Sequence, residues 1–177
     1  MKQKLSLLAA VAALAFGSSA MAADGTITIT GTVTDTTCSI AVNDGTANAT
    51  VTLPTVSTSS LAASGDTAGT TLYTISLTEC SGTSLGTAHA WYEAGANVDT
   101  DSGRLNNTSD GTTTNVQVQL LNADLGVITA GVTDQNDVTV DISGGSGTLE
   151  YYAQYYATGV STAGAVATSV DYTIEYE

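Results

Sequence analysis

The stretch DGTITITGTVTDTTC, residues 24–38, decides how the rest of the chain is read. Ile27, Ile29, Gly31 and Val33 take one set of alternate positions, and Thr26, Thr28, Thr30 and Thr32 take the other. A period of two is that of a β-strand burying one face. Chain ends usually fray, so a well-made strand this close to the start needs a surface to cover it.

Upstream of that strand, residues 1–22 read as an export signal. Lys2 and Lys4 supply the positive start, Leu5 to Phe16 an apolar run, and Ala20-Met21-Ala22 the small residues of a cleavage site. The apolar run is too short to remain in a bilayer as a spanning helix. Cleavage after Ala22 is expected to leave 155 residues, enough for one domain with a core of its own. It also removes two of the three basic residues, so Arg104 remains as one cation against 17 acidic residues, a net charge of −16. Such a chain cannot neutralise phosphates, which sets aside nucleic acid and anionic membrane surfaces as partners. The acidity implies solubility and repulsion between copies, or complementarity to a basic partner during export.

Cys38 and Cys80 are the two cysteines. In an exported chain an even pair most simply means one disulfide. A metal pair or a redox pair would need more ligands or a closer spacing. A bond between them closes a loop of 43 residues, worth roughly 4 kcal/mol on the chain-entropy estimate.

After residue 22, short alternating runs rich in Thr, Val and Tyr are separated by Gly, Asn, Asp and Ser clusters. This is the pattern of a sandwich of short antiparallel strands. Strands are expected over 26–34, 37–42, 48–53, 71–79, 87–93, 115–122, 137–142, 148–157 and 168–176. Residues 54–70 read as a long polar connection, 95–114 as an exposed excursion with a short strand or none, and 143–147 as a flexible turn.

Residues that could carry chemistry are few. His89, the one histidine, has no nucleophile setting such as GxSxG near it and reads as a histidine on an edge strand. Cys38 could attack a substrate only if Cys80 left it free. The stretch NVDTDSGRLNNTSD (97–110) resembles a calcium loop, but placing Gly103 sixth puts Val98 first and Ser109 twelfth, where a bidentate Glu is required. No catalytic residue, cofactor or metal is expected, and the protein is not expected to be an enzyme.

The other end mirrors the first. In SVDYTIEYE (169–177), Val170, Tyr172, Ile174 and Tyr176 alternate with Asp171, Thr173 and Glu175. An apolar groove beside a final strand is what a detached alternating strand can fill by strand addition. Filling a neighbour's groove gives a head-to-tail contact that does not close.

In this combination the chain resembles the major fimbrial subunits of the chaperone–usher pathway, the type 1 and P-type pilins. The resemblance covers the whole chain. It rests on the signal, on GTITITGTV as a donor extension, on Cys38 in the first strand, and on Cys80 closing LYTISLTEC. VQLLNADLG (118–126) resembles the mid-domain strand, and LEYYAQYYATG with AGAVATSVDYTIEYE resembles a final hairpin. Gly164, fourteenth from the end, and penultimate Tyr176 match the signature that periplasmic chaperones of this family recognise.

The resemblance implies an all-β fold: an incomplete immunoglobulin-like sandwich lacking its last strand, completed by donor-strand exchange. It divides the chain into a removed signal (1–22), a donor extension (23–36) and a pilin domain (37–177). The expected product is a head-to-tail homopolymer, the rod of a surface fimbria supporting adhesion, exported through the periplasm of a Gram-negative bacterium without stable membrane insertion. A periplasmic chaperone would first lend a strand beside residues 168–176 and hold the carboxylate of Glu177, and an outer-membrane usher would then exchange it for the next subunit's extension. Ile27, Ile29 and Val33 would fill pockets, with Gly31 where no side chain fits. Arg104 is expected in a solvated loop or paired with an acidic loop of an adjacent subunit. The competing readings are a minor adaptor pilin, a small outer-membrane β-barrel, and a secreted enzyme or carbohydrate-binding domain.

Overall fold

The computed structural model describes residues 24–110 and 113–177, so the signal reading of residues 1–22 lies outside the described residues. The chain divides into two units, one ending at Thr32 and the other spanning Val33–Glu177. In the first unit, residues 24–32 form no strand, and Ile27 and Ile29 are each 89% exposed.

The second unit is built from β1 (Thr37–Val42), β2 (Thr67–Ser81), β3 (Thr87–Tyr92), β4 (Leu105–Asn106), β5 (Val116–Leu121), β6 (Val127–Ile128), β7 (Val140–Asp141), β8 (Gly147–Ala157) and β9 (Tyr172–Tyr176). A single 3-10 turn at Thr58–Leu61 interrupts the polar connection before β2. Among the described residues no helix is long and apolar enough to cross a membrane. The larger sheet has the order β1-β2-β8-β5-β4, with β6 also on β5, and the smaller has the order β7-β3-β9. All pairings are antiparallel.

Alternation explains how the two sheets meet. Tyr73, Ile75 and Leu77 of β2, Leu149, Tyr151 and Ala153 of β8, and Val118 and Leu120 of β5 point inward from the larger sheet. Ala88, Ala90 and Tyr92 of β3 and Ile174 of β9 face them. The core has no Phe and leans on tyrosines, whose hydroxyls must find partners when buried. Tyr73 and Tyr92 share a hydrogen bond of 2.6 Å, and the Ala90 N–H donates to Tyr151 Oη at 3.1 Å. Burial pushes the Tyr151 phenol up to about 12 and raises those of Tyr73 and Tyr92 as well. The result is an all-β, immunoglobulin-like sandwich whose smaller sheet ends at β9.

Several sequence expectations change. The run 26–34 is unpaired, and 48–53 forms no strand despite its alternation. The strand expected at 137–142 shrinks to β7. The N–H groups of Ala90 and Tyr92 beyond it are taken by Tyr151 Oη and Gln135 Oε1, while Gln135 Nε2 donates back to the Tyr92 carbonyl. Side chains thus replace a strand. The expected final hairpin is absent: β8 pairs β2 and β5, whereas β9 crosses to β3 in the other sheet. His89 lies on the central strand of the smaller sheet and is buried, not on an edge. The loop 95–114 is not a free excursion, because Val98 and Leu105 are buried, and Asp99 accepts from the N–H groups of Asp101 and Ser102 and from Gln117 Nε2. These bonds hold the Asp99 carboxyl below its ordinary range.

Candidate functional site: an open groove between the sheets

Cys38 and Cys80 are disulfide-bonded, joining β1 to β2. Just before them, Asp35 accepts from the N–H and hydroxyl of Thr83, and the buried Thr36 donates its hydroxyl to the Ser84 carbonyl. Residues 34–36 are therefore tied to the domain, and the unanchored part of the N-terminal segment stops near Val33, which is 98% exposed.

A concavity of about 580 Å³ opens between the two sheets along the free edge of β9. One wall is the segment 165–176. Even-numbered positions from Val166 to Tyr176 turn inward and odd-numbered ones outward. Its far edge is held along its length. β3 pairs with β9, the Glu93 N–H donates to the Asp171 carbonyl, Asn97 Nδ2 donates to the Ser169 carbonyl, and the Thr108 N–H donates to the Ala167 carbonyl. The near edge faces the groove. The opposite wall is 47–53, with Ala47, Ala49, Val51 and Leu53 on the groove side. The floor is core: Tyr73, Ile75, Leu105, Val118, Leu120 and Ala153. The two sheets have parted, and the sandwich interior shows through the gap.

Tyr172 crosses that gap. Its hydroxyl donates to the Ala47 carbonyl at 2.9 Å, and partial burial raises its pKa. Both residues also line a second concavity of about 360 Å³, which continues past Ile40, Ile174 and Tyr176. The bridge therefore divides one long groove into two compartments.

Of the residues singled out from sequence, Val170 and Tyr172 line the larger compartment, and Tyr172, Ile174 and Tyr176 the smaller. Gly164 lies on an exposed bend outside both. Ile27, Ile29, Gly31 and Val33 are exposed. The facing wall, 47–53, and the floor were not anticipated as a site, although the Ala47, Ala49, Val51, Leu53 alternation carried the signal. His89 Nε2 lies 3.3 Å from Glu175 Oε2 and 3.8 Å from Asp137 Oδ2, with no serine hydroxyl among its recorded partners. Burial raises the Asp137 pKa, opposed by His89 and reinforced by Glu175.

The family model for the type-1 fimbrial protein, A, matches residues 53–177 of this chain. The chain belongs to the type-1 fimbrial protein family. This fimbrial subunit is 44% identical over 184 residues to the F17 fimbrial protein of Escherichia coli, covering 99% of each chain. It is 46% identical over 164 residues to the major fimbrial subunit SMF-1 of Stenotrophomonas maltophilia, covering 89% of this chain and 95% of that one. The crystal structure of the P pilus rod subunit PapA aligns with a TM-score of 0.56 at 18% identity, over 78% of this chain and 99% of that one, which places the two in one fold. The fimbrial subunit is thus a structural component of a surface fimbria.

Proposed function

We propose that this subunit polymerises by donor-strand exchange. The observation that carries the reading is the groove: an apolar trough floored by core side chains and flanked by two alternating backbone walls, one with a free strand edge. The segment 24–33 has the complementary form, an alternating strand whose apolar side chains are exposed. Insertion into the groove of the next copy would bury Ile27, Ile29 and Val33 against the groove, with Gly31 at its shallowest point, and the domain reading of 23–36 as extension and 37–177 as body follows with its anchor moved to residue 34. Burying three aliphatic side chains is worth roughly 1.5–3 kcal/mol each, and each strand hydrogen bond about 1 kcal/mol net. The contact is head-to-tail and does not close, so it grows a filament.

Before assembly the same groove would hold a strand of a periplasmic chaperone along 166–176, with Val170, Tyr172, Ile174 and Tyr176 on the recognised wall and Gly164 on the bend that leads into it, and an outer-membrane usher would mediate the exchange. Transit through the periplasm of a Gram-negative cell follows from that route. The role is structural, with no enzymatic step.

The test is assembly of the full chain coexpressed with its chaperone and usher, comparing wild type with Gly31→Asn. Wild type is expected to form fibres that resist dissociation, and the variant to accumulate as chaperone-bound subunit. Normal fibre growth by Gly31→Asn would refute the reading.

A further inference from the structure

Arg104 is the single arginine and, beyond Lys4, the single fixed cation of a chain with 17 acidic residues. Among the described residues no carboxylate lies within ion-pair distance of it, since the close pairs found all involve His89. It is nevertheless held in place. Its guanidinium stacks 3.9 Å above the Tyr156 ring, and its Nε donates to Gln117 Oε1 at 2.8 Å. Gln117 Nε2 is fixed in turn by Asp99 and Asn106. Because Leu105 points into the core, Arg104 stands on the outer face of the larger sheet. The ordering cost of a long side chain is thus met within the subunit, and its terminal nitrogens have no hydrogen-bond partner among the described residues.

The outer face of the smaller sheet carries carboxylates and, among the described residues, no arginine or lysine. Outward positions of β3, β9 and their flanks carry Glu93, Asp171 and Glu175 around the half-buried Trp91 and the buried His89; Glu175 faces His89 at 3.3 Å and Glu93 accepts from the Thr173 hydroxyl, which leaves each carboxylate a further oxygen for a partner. The two faces lie on opposite sides of a sandwich whose sheets pack about 10 Å apart, so they cannot meet within one copy.

We infer that Arg104 docks against this acidic face of a second copy, forming a contact between subunits separate from strand insertion. Copies this acidic repel one another, and the orientation that sets the one cation against carboxylates is the one electrostatics favours. A single exposed ion pair adds little affinity; its effect is to select a register between subunits already brought together. The two surfaces differ, so the contact is heterologous and repeats along an assembly. The inference rests on the subunits being assembled into fimbriae, and not on which strand joins them.

Arg104→Lys introduces the single lysine of residues 24–177, which makes carbodiimide cross-linking site-specific. In fimbriae of that variant, zero-length cross-links mapped by mass spectrometry are expected between position 104 and Glu93, Asp171 or Glu175, pairs that only two copies can form. Cross-links confined to the subunit's own Asp99 or Asp101, or none, would overturn the inference even where fimbriae form normally. A second measurement needs no variant. Phenylglyoxal modification of wild-type Arg104 is expected to slow at least tenfold in fimbriae relative to the chaperone-held subunit, and equal rates would equally overturn it. Failure of strand insertion would show instead as the absence of fimbriae in wild type.

Discussion

Residues 26–33 and 166–176 carry the same sequence pattern and meet opposite fates. In both, apolar side chains alternate with polar ones, a pattern broken in the second only by Ala167 outward and Thr168 inward. Along 166–176 the inward positions are at least partly buried, and one backbone edge is paired or capped throughout. Along 26–33 the apolar side chains are almost wholly exposed. Alternation states that a strand has a face to bury. It does not state whether the covering surface belongs to the same molecule. An exposed apolar segment with this alternation is ordinarily an aggregation hazard, and the proposed strand exchange gives it a place to be buried.

The contrast breaks most visibly under substitution of isoleucines. Ile174→Ala, at a core position 8% exposed, is expected to cost about 2–5 kcal/mol in equilibrium unfolding of the unassembled subunit. The paired change Ile27→Asp and Ile29→Asp is expected to leave that stability within about 0.5 kcal/mol and yet abolish fibres. Comparable losses of stability in both would mean that 26–33 is part of the folded domain. A smaller effect tests the bridge between the groove walls. Tyr172→Phe removes a hydrogen bond worth about 0.5–1.5 kcal/mol net. The loss is expected with the groove empty and is expected to vanish once a synthetic peptide of residues 24–36 occupies it; a penalty that persists with peptide bound places the bridge outside the binding event.

The smallest effect concerns the anchor between the two segments. Hydrogen bonds from the Thr83 N–H and hydroxyl hold the Asp35 carboxyl below its ordinary value. A depressed value in the folded state means that the anchor is at full strength above the ordinary carboxylate range and is lost as pH falls through the lowered value. The protection of the Thr83 amide, its exchange rate taken relative to the intrinsic rate at each pH, is therefore expected to fall as pH drops from about 5 to about 2, and Asp35→Asn is expected to flatten the profile. A wild-type profile already flat would detach this contact from the anchor.

Much of the fold was legible because local pattern and burial agree in β1, β2 and β8, where alternate positions face a core built from the same chain, whereas β3 and β5 are covered on both faces yet keep alternating sequences. The cysteine pair was legible for a chemical reason, namely export and an even count. The parts that were not legible depend on partners distant in sequence. β7 is shorter than its alternation suggests because Gln135 and Tyr151 satisfy the backbone that a longer strand would have paired. The two strands nearest the end look like a hairpin because they are consecutive, yet β9 changes sheets. At the site, Val170, Tyr172, Ile174 and Tyr176 were readable as a face, whereas the opposing wall at 47–53 showed a pattern with no indication of what it opposes. Arg104 looked like a loop cation because stacking on Tyr156 is a tertiary fact.

The disulfide sits at a mechanically telling place. Cys38 is the second residue of β1, a few positions after the unanchored segment ends, and it is bonded to Cys80 near the end of the 15-residue β2. β2 is flanked on both edges, by β1 and β8. Any pull transmitted through residues 24–33 meets a covalent rivet before it can peel β1 from its neighbour, and the load passes directly into the interior of the larger sheet. A filament linked through that segment would owe its tensile strength to one sulfur–sulfur bond per subunit placed where the force enters.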